Sequence, residues 1–83
     1  MSNQTDETLM PGFKPVAFLW EGDKPAYPSQ SSAEWSIRQL RRPLAEAGAI
    51  ALHRGRKMIH PERHQQVVEH EAIEAARKRY APV

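Results

Sequence analysis

Two short stretches hold most of the groups able to bind a ligand. "WSIRQLRR" carries Arg38, Arg41 and Arg42, and "HRGRKM" carries Arg54, Arg56 and Lys57 around Gly55. Between residues 31 and 57 these six cations meet only Glu34 and Glu46, a local charge of +4 in a chain whose formal net charge is +2. Residues 1–30 sum to −2 and residues 58–83 are balanced, so the excess is confined to the middle third. Guanidinium and ammonium groups at this density suit phosphate oxygens, Arg as a planar fork and Lys as a point charge. Such charge is often no more than a solvated helix surface. Here only Glu34 and Glu46 stand at i,i+4 from an arginine, and the remaining like charges repel unless a polyanion relieves them. The pattern is the electrostatic footprint of a polyanion binder.

Other chemistries find less support. His60 and His64 stand at i,i+4, which puts two imidazoles on one helical face. The chain has no cysteine and no HExxH pattern, and His60 precedes Pro61, where it fits a helix cap, so no metal site is expected. The serines lack a matched histidine and carboxylate, the glycines form no phosphate loop, and the carboxylates after Val68 resemble a solvated face. Neither an enzyme nor a cofactor is expected. Lack of cysteine also suits a reducing compartment. No run of eighteen apolar residues occurs, and "MSNQTDETLM" is acidic and polar where a signal peptide is basic and then apolar. A soluble cytoplasmic protein, not a membrane protein, is the expectation.

Eighty-three residues make one small domain with a compact core and no large internal cavity. Residues 1–12 have the composition of a disordered terminus. Residues 13–30 contain an apolar run from Val16 to Trp20 with prolines at 15, 25 and 28, which predicts an extended arm or edge strand and argues against a helix. Residues 31–80 form the binding domain. Ser31 followed by Glu34 reads as a capping box, so a helix is expected from about Ser32 with Ala33, Ile37 and Leu40 inward, continued by Leu44 and Ala47. Pro43 marks the first position of a second short helix, or a bend, displacing Arg42 from the α region, and Gly48 sits where a left-handed cap belongs.

Trp35 lies about 160° around the first helix from Ile37, on the side of Ser31, Arg38 and Arg42. It either packs beside a nucleic-acid backbone or is covered by residues 13–20, and covering is favoured because exposed tryptophan is costly in a small domain. Gln30, Ser31, Arg38 and Arg42 would still offer donors to base edges and phosphates.

"AIALH" and "RKMIH" flank Arg54–Gly55 as a β-hairpin. A three-residue loop would oppose Leu52 to Met58 and a two-residue loop Ile50 to Ile59, with Ile50 and Leu52 as apolar feet in the core. A closing helix follows, with Pro61 first, Val67, Val68, Ala72, Ala75 and Tyr80 as a thin apolar stripe, and Arg77, Lys78 and Arg79 at its end. Its distal half is polar enough to project or fray. Arm, helix, bend, short helix, basic hairpin and helix together make the plan of an α+β fold, a small winged helix.

The stretch "YPSQSSAEWSIRQLRRPLAEAGAIALHRGRKMIHPERHQQVV" resembles the excisionase-type winged-helix proteins of phages and integrating elements, distant relatives of the domain that opens MerR-type regulators. "SSAEWSIRQLRR", "AEAGAI", "HRGRKMI" and "HPER" carry the likeness, over about half of the chain. The helix that usually precedes the recognition helix has no counterpart in residues 13–28. The resemblance implies a helix-turn-helix protein of the bacterial cell or infected host that binds and bends double-stranded DNA, steers an integrase or recombinase toward excision, or regulates transcription. By that likeness the helix from Ser31 to Arg42 enters the major groove and the Arg54–Gly55–Arg56 wing touches backbone or minor groove. The DNA-binding residues expected are Gln30, Ser31, Ser32, Trp35, Arg38, Arg41, Arg42, Arg54, Arg56 and Lys57. A domain of this size reads few base pairs, so self-association on neighbouring sites, or a partner, would supply specificity. The competing expectation is a phage-encoded inhibitor whose basic face docks on a partner protein.

Overall fold

The computed structural model describes residues 10–81. The disorder expected for residues 1–12 falls mostly outside that range; residues 10–12 form a turn closed by the Phe13 N–H donating to the Met10 carbonyl at 3.1 Å. The chain continues as strand β1 (Lys14–Pro15), a 3-10 turn (Val16–Leu19), helices α1 (Gln30–Gln39) and α2 (Arg41–Glu46), strands β2 (Ile50–His53) and β3 (Arg56–Ile59), and helix α3 (Pro61–Tyr80). The strands form one antiparallel sheet in the order β1-β3-β2. The architecture is α+β, three helices against a three-stranded sheet.

Residues 13–28 supply an edge strand, though not where the apolar run predicts it. Lys14 and Pro15 pair with Ile59 and Met58, while Val16–Leu19 coil into the 3-10 turn. Pro15 immediately precedes that turn and so removes none of its hydrogen bonds, and coiling sends Leu19 into the core at 2 % exposure. A strand would have alternated these side chains between two faces.

Helix α1 begins at Gln30, two residues before the expected start. Ser29, not Ser31, is the cap: its Oγ accepts from the Ser32 N–H at 3.2 Å, and Ser32 Oγ donates back to the Ser29 carbonyl at 3.0 Å. Glu34 does not close a capping box; its carboxylate accepts from Gln30 Nε2 at 3.0 Å. The helix breaks at Leu40, which caps both α1 and α2. Pro43 is therefore the third residue of α2, where its missing N–H is one of the four that have no partner in any helix, and Arg42 stays helical. Gly48 (φ 71°) ends α2 as expected: its N–H donates to Ala45 and the next N–H, of Ala49, reaches back to Leu44 at 2.8 Å, the two bonds of a Schellman motif.

Leu19, Ala33, Ile37, Leu44, Ala49, Ile59 and Val67 form the core, with Val16, Trp20, Tyr27, Leu40 and Ile50 packed around it. Ala47, expected inward, is exposed. His60 caps α3, its Nδ1 accepting from the Arg63 N–H at 3.2 Å, and Pro61 follows at the first position. Only His64 and Val67 of α3 are buried; Ala72, Ala75 and Tyr80, expected in the apolar stripe, are exposed because the helix outruns the sheet and the other helices.

Candidate functional site

The hairpin carries half of the cationic cluster. Its register is the two-residue one, with Ile50 opposite Ile59, Ala51 opposite Met58, Leu52 opposite Lys57 and His53 opposite Arg56. Arg54 (φ 54°) and Gly55 (φ 77°) both lie in the left-handed region that a type I′ turn demands. Because strand side chains alternate, Ile50, Ile59, Leu52 and Lys57 share one face and Ala51, Met58, His53 and Arg56 the other. Arg56 and Lys57 are thus divided between two sides of the hairpin. On the first face only the base is core: Ile59 is fully buried, whereas Leu52 is 75 % exposed and is not the apolar foot expected of it. Two residues of strand, about 7 Å, carry Leu52 past the edge of the core.

The break at Leu40 separates the helical cations. Arg38 lies near the end of α1, one turn beyond Trp35, while Arg41 and Arg42 open α2, so the single helical face expected for Ser31, Trp35, Arg38 and Arg42 ends before Arg42. Trp35 is 58 % exposed; residues 13–20 do not cover it, and Trp20, not Trp35, packs against the core. The first turn of α2 holds two arginines and no acid, the arrangement that the helix dipole disfavours. The arginines are held there although neither burial nor the dipole rewards them.

Helix α2 and the hairpin meet across a groove of about 600 Å³, whose sides are Arg41, Arg42 and Ala45 from the helix and Ile50, Ala51, Leu52 and Lys57 from the strands. The floor is apolar and the rim is cationic. The fold therefore brings Arg41, Arg42 and Lys57 to one place, with Arg54 and Arg56 beyond them at the hairpin tip. Arg42 Nε donates to Glu46 Oε2 at 3.3 Å. No ion pair holds Arg38, Arg41, Arg54, Arg56 or Lys57 among the described residues. Of the polar candidates, Ser31 is exposed, Gln30 is occupied by Glu34, and Ser32 is engaged in capping. Leu52, Ile50, Ala51 and Ala45 are parts of this surface that a reading by charge passes over; the signal was the two-residue register, which sets Leu52 beside Lys57.

Two of the histidines, His60 and His64, have places of their own apart from the groove. His60 serves the α3 cap, and its ring meets the Phe13 ring edge-on at 5.2 Å. His64 is buried, with Nε2 3.0 Å from Tyr27 Oη, which lies 2.8 Å from Ser36 Oγ; burial lowers its pKa below the ordinary 6.5. The described residues contain no group of three or more side chains placed to hold a metal ion. No helix among them is long and apolar enough to cross a membrane.

Comparisons with family models, with curated proteins and with solved structures return no match to this chain.

Proposed function

We propose that the protein binds double-stranded DNA through α1, the start of α2 and the hairpin, in the manner of a small winged helix. It would act as an accessory protein of a mobile element, an excisionase or a small transcriptional regulator, with no catalysis of its own. The observation that carries this reading is the convergence of Arg41, Arg42 and Lys57 on one groove, with Arg54 and Arg56 at the adjoining hairpin tip and Arg38 on α1; of these six exposed cations, all but Arg42 lack an acidic partner among the described residues. A two-residue turn presents Arg54 and Arg56 beyond the core, as a wing must to reach the backbone or minor groove. Exposed Trp35 and Arg38 sit on the outer face of α1, where an aromatic ring and a guanidinium can lie along a sugar-phosphate edge. Specificity would come from neighbouring copies or from an integrase partner.

The apolar floor of the same groove favours one competitor, docking of an acidic amphipathic segment of a partner protein. Salt dependence of duplex binding separates the two. If about four cations neutralise phosphates, log affinity falls against log salt with a slope of about −3 to −4, and Arg56→Ala makes the slope shallower by about one. Failure to bind any duplex at about 50 mM salt would sink the DNA reading.

A further inference from the structure

Leu52 is the most exposed large aliphatic side chain among the described residues, at 75 %, and it stands in the most cationic part of the surface. Its cross-strand neighbour is Lys57, and across the groove lie Arg41 and Arg42. Ala45, Ile50 and Ala51 continue the apolar surface from Leu52 toward the core, so the leucine is the outer lip of an apolar strip bordered by cations. Isolated exposed leucines are common and need no explanation. This one is placed differently: the I′ turn and the Ile50–Ile59 pair anchored in the core fix its backbone, and a β-strand gives it little freedom to fold back.

Resting on the DNA reading above, we infer that Leu52 is an apolar wedge, which enters the minor groove and partly unstacks one base step while Lys57, Arg41 and the tip arginines hold the phosphates on either side. Cations alone follow the backbone and leave the stack intact. An aliphatic side chain in their midst loses its contact with water only by meeting sugars and base faces, and the cost of opening a step is repaid by the closer approach of the surrounding cations. The bound duplex is then kinked by about 20–90° toward the major groove.

The test uses the full chain and a duplex of about 20–30 base pairs recovered by selection from random sequence, with fluorophores at its ends and 2-aminopurine at successive steps. Wild type should shorten the end-to-end distance and brighten 2-aminopurine at one step. Leu52→Ala should keep the same melting temperature, because the side chain lies outside the core, and should still bind the duplex, with a salt slope no steeper than that of wild type, yet leave the duplex straight and the step dark. Leu52→Met, an unbranched apolar side chain, should restore most of both signals. A Leu52→Ala protein that bends DNA as wild type does would overturn the wedge, as would a wild type that binds without bending. A wild type that binds no duplex at all removes the DNA reading itself, and this inference with it.

Discussion

His64 is 5 % exposed, and this burial makes the folded protein disfavour its charged form. In the unfolded chain the same ring titrates near 6.5. Below that value the unfolded state binds more protons than the folded one, and linkage requires stability to fall as pH falls. Melting temperature should therefore drop between about pH 7 and about pH 5, and His64→Gln should flatten that part of the profile even if it lowers the whole curve. Parallel profiles for the two proteins would show that His64 contributes none of the slope. Gly12 makes a second residue-level case. Its φ is 85°, and a Cβ there would lie 2.7 Å from Nε2 of His60, whose ring is pinned by the Arg63 N–H and by Phe13. Gly12→Ala should cost about 1–2 kcal/mol from the backbone alone, with the crowding of His60 added, read as a lower denaturant midpoint.

At the scale of elements, α3 is two helices in one. The first half supplies His64 and Val67 to the core, while the second, with Ile73 at 52 % and Tyr80 at 76 % exposure, adds no buried side chain. Arg77 reaches Glu74 at 3.2 Å, Arg79 lies over the Tyr80 ring at 5.7 Å, and three cations close the last turn. These contacts favour helix without tying it to the domain. Ending the chain after Ala72 should thus leave the melting temperature within a few degrees of wild type, whereas Leu44→Ala, at a fully buried site, should cost about 2–5 kcal/mol. A truncation as damaging as Leu44→Ala would mean that the distal half packs on something. Helix α3 also shows which elements the sequence makes legible. His60-Pro61 and Gly48 encode their ends in local chemistry, and both are found where that chemistry puts them. "SQSS" offers several caps, and the choice of Ser29 depends on which serine Ala33 and Ile37 leave free once they face the core. Val16–Leu19 was unreadable for a similar reason: a short apolar run coils or extends according to the surface it must cover. The site divides in the same way. Its cations are visible from residue type and spacing, but the groove needs the break at Leu40 and the hairpin register, and neither is settled by residues adjacent in sequence.

For the molecule as a whole, the uneven charge of the chain becomes an uneven charge of the surface. The middle third, at +4, folds into α1, α2 and the hairpin, and its cations gather at the groove and at the hairpin tip. Among the described residues Glu46 is the one acid that reaches a cation there, and its pair with Arg42 is exposed on both sides, at 87 % and 69 %. Exposed pairs of this kind contribute about 0–1 kcal/mol, so Glu46 does little for the fold. Its larger effect is on the field: a carboxylate beside Arg42 cancels one of the charges a phosphate would meet and repels the phosphate directly. Glu46→Gln should leave the melting temperature nearly unchanged and tighten duplex binding several-fold at about 0.1 M salt, with the gain shrinking as salt screens it. The salt slope should steepen by up to about 0.9, the share of one added phosphate contact, and Arg41→Ala should weaken wild-type binding more than Arg42→Ala does. If duplex affinity is indifferent to Glu46 while binding to an acidic peptide strengthens, the groove serves a protein and not a nucleic acid, because only the partner seated in it can feel the lost carboxylate.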